Sequence, residues 1–142
     1  MTEIKGFENP QYRWLSNFYP IRMKMADGLT YGSTEHVYQA MKSNSLEDRA
    51  KVAASKTPGQ AKRLGRRLKM REDWDQIKRE IMKQILRVKF THPILRQKLL
   101  DTGDAYLEET NHWGDTYWGV CHDVGLNQLG EILMEIREEI RQ

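Results

Sequence analysis

Glu35, Tyr38, Gln39 and Lys42 recur at intervals of one to four residues within YGSTEHVYQAMKSN, residues 31–44. At about 100° per residue, a helix gathers these four side chains within roughly a third of its circumference. Val37, Ala40 and Met41 fall on the other side, the face such a helix turns to a core. Glu35 and Lys42 stand about 10 Å apart along the axis, too far for a simple ion pair and well placed to bracket a ligand. A carboxylate can serve as general acid or base and can steady an oxocarbenium-like centre. A lysine stripped of water can attack a carbonyl or imine carbon. The same spacing also suits a solvated polar face with a tyrosine laid across it. His36 lies off to one side, with no metal-binding partner four residues on.

A second concentration of reactive side chains occupies 104–128, where Asp115 and Trp118 stand among tyrosines, histidines and turn-forming glycines. Beyond the AYLEET segment it is too irregular for a helix, and loops carried on a rigid scaffold are where sites tend to sit. Aromatics with amide partners recognise flat heterocycles. Carboxylates at 35 and 115, a lysine, amides and aromatics together suggest glycosyl chemistry on a nucleotide-like molecule.

Other chemistries lack their parts. A lone Cys121 excludes an internal disulfide framework and the Cys-x-x-Cys pair of a zinc deaminase, so no metal is expected. There is no Walker loop, no Gly-x-Gly-x-x-Gly after a strand and no Gly-x-Ser-x-Gly elbow. No cofactor is implied. The net charge of +3 is weak evidence for an anionic partner, and much of it lies in KRLGRRLKMR, residues 62–71. That run could meet phosphate or a nucleic-acid backbone, or simply face water.

Several elements must position these residues. The period-two alternation of Ile21, Met23 and Met25 before Asp27-Gly28 predicts a hairpin with strands near 21–26 and 29–32. Upstream, Pro20 favours a loop or edge. Ser33 or Thr34 can cap the helix that holds Tyr38 and Lys42. Ser45 can cap a second helix, and Thr57-Pro58 should open a third through Leu68, with Ala61, Leu64 and Leu68 on one side. From Glu72 to Phe90, Trp74, Ile77, Ile81, Ile85 and Val88 define one helical face. A helix after Pro93 should end before Gly103. The last carries a stripe of Leu129, Ile132, Leu133, Ile136 and Ile140.

At 142 residues, with 39% hydrophobic and 30% charged residues, the chain can bury one core. No long apolar run or leader pattern is present, which points to a cytoplasmic protein without a membrane span. The exposed polar helices make a monomer the expected state.

Several blocks resemble the NADAR, or YbiA-like, family of N-glycosidases. They are LSNFYP (15–20), STEHVYQAMK (33–42), TPGQAKRLGRRLKMREDWD (57–75), IMKQILRVKF (81–90), LLDTGDAYLEE (99–109), DTYWG (115–119) and GLNQLGEILMEIR (125–137). They stand in the family's order and cover nearly the whole chain. The resemblance implies an α+β fold: a compact, mainly helical single domain over 1–142 with a small N-terminal β-hairpin or antiparallel sheet. It implies cleavage of N-glycosidic bonds in phosphorylated ribosylamino-pyrimidines of riboflavin synthesis, or in ADP-ribose attached to guanine bases of DNA or RNA. Glu35 would be the acid/base residue, Lys42 the amine forming a Schiff base with ring-opened ribose, and Asp115 a third catalytic group beside Trp118 on the sugar side. Asn17, Phe18, Arg66 and Asn127 would bind phosphate, ribose or base, and Tyr38 and Trp74 complete the substrate-binding set. One departure is GVCHDVGLN after Trp118, in place of the glycine-rich run of some members. The rival reading is a non-catalytic module that binds ADP-ribose or nucleic acid, favoured by the basic run.

Overall fold

The computed structural model describes residues 2–142. Two compact units make it up, one formed by Asn17–Lys89 and the other by Phe90–Gln142 with the described residues up to Ser16. Mixed helix and short strand run through both, as an α+β fold requires.

Strand β1 (Glu3–Lys5) comes first in the chain, and the Asn17–Lys89 unit then begins with an antiparallel pair, β2 (Met23–Lys24) and β3 (Thr30–Tyr31). The turn between them is the predicted one. Gly28 takes a φ of 84°, which a side chain would resist, and Asp27 accepts the Leu29 N–H and the Tyr31 hydroxyl. The ladder is shorter than the sequence suggested, but its alternation holds: Met23 is buried and Lys24 exposed.

Four helices follow: α1 (Thr34–Ala40), α2 (Leu46–Ala53), α3 (Pro58–Gly65) and α4 (Trp74–Lys89). The side chains of Ser33, Ser45 and Thr57 cap the first three by accepting the N–H three residues on, which satisfies amides the helix itself leaves open. Helix α1 is central, packing on α2, α3 and α4. All seven of its residues are buried, so its polar face is not the solvated surface that spacing alone allowed. Two boundaries also move. Helix α3 stops at Gly65 rather than Leu68, and α1 ends before Met41, placing Lys42 just beyond its C-terminus.

The α4 face differs from the expected stripe. Val88 is exposed and Ile77 and Ile81 are only half-buried, while Trp74, Met82, Ile85, Leu86 and Lys89 are buried. The inward line therefore runs through 74, 82, 85, 86 and 89, with a lysine at the last of its five places. Lys89 is 1% exposed, with its Nζ 5.8 Å from the Tyr19 ring centroid.

In the other unit, a 3-10 helix (Pro10–Leu15) is opened by Pro10 and by Asn9 accepting the Gln11 N–H. Strand β1 pairs in parallel with β4 (Tyr106–Glu108), Ile4 opposite Leu107, and β5 (Thr110–Asn111) pairs in parallel with β6 (Val120–Cys121). Helices α5 (Pro93–Asp101) and α6 (Gln128–Arg141) pack together, and α6 lies on β4. Leu129, Ile132, Leu133 and Ile136 are buried as predicted, and α5 ends before Gly103 at a φ of 62°. Among the described residues, no helix is long and apolar enough to cross a membrane.

His36 has a structural part in this frame. It is buried, and its Nε2 donates to the Ser55 carbonyl at 2.9 Å, since that oxygen can only accept. Its Nδ1 is then the acceptor for the Ser33 hydroxyl at 2.7 Å, while Ser33 Oγ caps the His36 N–H. The ring ties the start of α1 to the segment after α2. Replacing His36 with Ala should lower stability by about 2–4 kcal/mol, through two lost hydrogen bonds and a cavity; urea unfolding measures it, and a change within error would remove this role.

Burial pushes the Lys89 amine down to about 7. Its folded value lies below the unfolded one, so between about pH 7 and 10 the unfolded chain binds more protons and stability rises with pH. The slope cannot exceed about 1.4 kcal/mol per pH unit for one group. Urea midpoints should therefore climb from pH 7 to pH 10, less steeply in Lys89→Met; equal slopes in the two proteins would contradict the buried amine.

Candidate active site

The reactive cluster is assembled on α1 and the residues that follow it. Ser33 sets where the helix begins and so fixes which way Glu35, Tyr38 and Gln39 point. The Glu35 N–H donates to the Asn17 carbonyl at 3.0 Å, tying the first turn to the SNFYP segment. Glu35 is 7% exposed, and its Oε1 accepts the Gln39 side-chain N–H at 2.7 Å, one turn along the helix. This bond orients the carboxylate in a place where little water competes.

Space for Gln39 comes from α3. A methyl at Gly65 would overlap the Gln39 side-chain amide, so only glycine lets α3 approach this closely. Among the described residues, the buried side-chain polar atoms without a hydrogen-bond partner are Asn17 Oδ1, Thr34 Oγ1 and Gln39 Oε1. All three belong to α1 or to the segment bonded to its first turn. Buried acceptors of this kind are what a polar ligand can satisfy.

Lys42 sits at the other end. Its backbone is held on both sides, the N–H donating to the Gln39 carbonyl and the carbonyl accepting the Arg71 N–H at 2.7 Å. Its Nζ lies over the Tyr38 ring, 5.6 Å from the centroid, and that ring meets Trp74 at 5.2 Å in a tilted contact. Tyr38 and Trp74 are both buried. Burial holds the Lys42 ammonium below the ordinary lysine range. The Glu35 carboxylate pulls it back up, and the charges of Arg66, Lys62 and Lys78 push it down.

Glu35, Tyr38, Lys42, Trp74 and Arg66 are thus brought together around α1, with Asn17 bonded to its first turn. Phe18 follows Asn17 and is 37% exposed. Lys62 was read only as part of the basic run 62–71, and Lys78 was not singled out in the sequence. Lys78 was legible as a charge on the line of Trp74, Met82 and Ile85, where an amphipathic helix would carry an apolar residue.

Asp115, Trp118 and Asn127 belong to the other unit, where their contacts hold backbone. Asp115 Oδ1 accepts the N–H groups of Tyr117 and Trp118 at 3.1 and 2.9 Å. Its own N–H and carbonyl are both bonded to the Asn111 side chain. The Trp118 ring is half-buried and meets Tyr117 edge to face at 4.8 Å. Asn127, 3% exposed with a φ of 53°, accepts the Glu109 N–H and donates to the Leu107 carbonyl ahead of α6. Among the described residues, no three His, Cys, Asp or Glu side chains gather as a metal site.

Comparison with known proteins identifies the family. The NADAR domain matches residues 6–141. N-glycosidase Npun_R5314 of Nostoc punctiforme is 43% identical over 138 residues, covering 92% of this chain and 86% of that protein. N-glycosidase YbiA of Escherichia coli is 39% identical, covering 91% and 82%. The riboflavin biosynthesis protein VVA0006 of Vibrio vulnificus is 40% identical, but the match covers only 36% of that longer protein. The NMR structure of E. coli YbiA superposes with a TM-score of 0.87 at 35% identity, covering 99% of this chain and 85% of that one. With a domain match across nearly its full length and relatives of this similarity, the chain belongs to the NADAR family.

Proposed function

We propose that this enzyme cleaves the C1′–N bond between a phosphorylated ribose and an amino-heterocycle, with Lys42 as covalent nucleophile and Glu35 as proton carrier. The N-glycosidase class comes from its relatives. The substrate would be a ribosylamino-pyrimidine phosphate of riboflavin synthesis, or an ADP-ribosylated guanine base in DNA or RNA. The observation that carries the reading is a lysine amine kept below its ordinary range by burial, just beyond the end of the buried helix that holds the Glu35 carboxylate.

In this scheme Glu35 gives a proton to the ring oxygen as the glycosylamine nitrogen pushes the ribose open, leaving an iminium at C1′. The neutral Lys42 Nζ adds its lone pair to C1′. A proton passes from Nζ to the base nitrogen, and the free amine leaves with the electrons of the C1′–N bond. What remains is C1′ doubly bonded to Nζ as a cationic Schiff base. Water, deprotonated by Glu35, adds to it and releases the sugar aldehyde and the amine of Lys42. The net reaction consumes one water and regenerates both groups. Gln39 would keep the Glu35 carboxylate aimed, and Tyr38 and Trp74 would give the heterocycle or sugar an aromatic surface.

Asn17 Oδ1 and Arg66 suit ribose hydroxyls and phosphate, and Phe18 offers an exposed ring. Trp118, on a turn fixed by Asp115, and Asn127 are proposed substrate contacts from the family resemblance alone. The binding-only reading has in its favour the exposed Arg63, Arg67 and Lys69, which would suit a nucleic-acid backbone. Membership among N-glycosidases stands against it. No cofactor is required, and a monomer in the cytoplasm is the simplest setting.

Borohydride added during turnover should fix the sugar to Lys42, seen as a mass increase on the peptide containing it. Lys42→Ala should lose both the adduct and turnover; full activity in that variant would favour direct attack by water. Glu35→Gln should fold normally and lower kcat by about 10²–10⁴-fold, the range for a lost acid/base group. A variant within a few-fold of wild type would remove Glu35 from the mechanism.

A further inference from the structure

The basic residues of this chain are unevenly spread. Residues 49–71 hold nine of its 23 lysines and arginines and none of its 20 acidic residues, which leaves the rest of the chain net negative, 14 basic against 20 acidic. At the two ends of this stretch the charges are paired. Arg49 meets Asp27 at 3.8 Å, Lys51 meets Glu47 at 3.5 Å and Arg71 meets Asp73 at 2.7 Å. In the middle they are not. Arg63, Arg67 and Lys69 are exposed, and none of them makes an ion pair or a side-chain hydrogen bond among the described residues.

Helix geometry puts the two arginines on one side. Ala61 and Gly65 are the buried positions of α3, and Gly65 is the one that meets Gln39 of α1. At 100° per residue, Arg63 points directly away from the midline of that buried pair, and Arg67 stands about 40° from Arg63. The chain stays coiled that far, since the Arg67 N–H donates to the Leu64 carbonyl at 3.0 Å. Arg63 Nη1 comes 3.7 Å from where a Cβ on Gly59 would stand, so its guanidinium lies back along the outer surface of the helix. Lys69 follows directly. This face is turned away from α1 and is separate from the Glu35–Lys42 site. Nearby carboxylates are engaged elsewhere: on α2, which packs on α3, Glu47 is held by Lys51 and Asp48 accepts the Ser43 hydroxyl at 2.7 Å.

We propose that Arg63, Arg67 and Lys69 form a docking surface for the sugar–phosphate backbone of a nucleic acid. Guanidinium groups bind phosphate through paired, planar hydrogen bonds, and two of them about 6 Å apart along a helix axis can engage separate phosphates. A lipid surface fits less well. A helix lying on a membrane needs an exposed apolar side, and α3 has its small apolar residues turned inward. Of the exposed large hydrophobic residues only Met70 falls within 49–71, which also leaves little apolar centre for a protein interface. Contacts to backbone alone position a strand without reading its bases, so the binding is independent of sequence. It is also independent of how Lys42 acts and of which N-glycoside is cleaved.

The test follows the anisotropy of labelled, unmodified oligonucleotides, single-stranded and duplex, between about 50 and 200 mM salt. Wild-type protein should bind both, with an affinity that falls steeply as salt rises. Arg63→Gln/Arg67→Gln/Lys69→Gln should weaken binding by about tenfold or more at the lowest salt and flatten the log–log salt slope by about 2–3 units, as three lost phosphate contacts require. Arg13→Gln/Arg22→Gln/Lys24→Gln removes the same charge from exposed residues elsewhere and should change binding little. Urea midpoints check that both variants fold, and Arg63→Gln alone, with a slope loss of about one unit, serves if the triple variant does not. Phosphatidylserine vesicles and polyglutamate supply the competing anions. No binding at the lowest salt, equal losses in the two triple variants, or tighter binding to vesicles or polyglutamate than to either oligonucleotide would overturn the proposal. The Lys42 chemistry is tested separately by borohydride trapping and survives any of these results.

Discussion

Burial of α1 on all its faces is the constraint on which the site depends. A seven-residue helix has little stability of its own, so α1 exists because α2, α3 and α4 enclose it. Enclosure removes water from Glu35 and partly from Lys42. Loss of water is what makes a lysine amine nucleophilic and a carboxylate a directed proton carrier. The packing that forms the helix and the chemistry proposed for it therefore have one cause. Several otherwise odd features follow, including the glycine at 65 that admits Gln39 and the histidine that ties the helix start to the chain after α2.

Desolvation alone would make the site too hostile for charge, and the structure shows a balance. Gln39 donates to Glu35, and Glu35 opposes the cations around Lys42. Opposing contributions of this kind let one group ionise while its neighbour stays neutral, as acid/base chemistry at neutral pH requires. Lys89 is a contrast. It is buried more completely than Lys42, and burial lowers its amine, yet at 1% exposure it offers a substrate no approach.

Local signals in the sequence translated well. The caps at Ser33, Ser45 and Thr57, the Asp27-Gly28 turn and the α6 stripe each depend on a few neighbouring residues, and each is found where spacing put it. Spacing left the polar face of α1 open between a solvated surface and a site, because periodicity shows that a face is polar, not whether water or another helix meets it. On α4 the stripe is rotated: Val88, placed on the inward face by spacing, is exposed, and Lys89, outside that face, is buried. The β1–β4 pairing joins residues about a hundred positions apart, and no local pattern announces such a contact. Within the candidate site, Glu35, Tyr38 and Lys42 were legible from spacing. Trp74 was legible only as a core residue, and Arg66 only as part of a basic run.

The central claim is that Lys42 is held as a poised amine by its surroundings. Its titration tests this most directly, followed through the Cε methylene by carbon-13 NMR and assigned by comparison with Lys42→Arg. The account predicts a midpoint clearly below the 10.5 of a solvated lysine, moving further down in Glu35→Gln as the opposing carboxylate is removed. A midpoint at the solvated value in the folded protein, unmoved by that substitution, would contradict it.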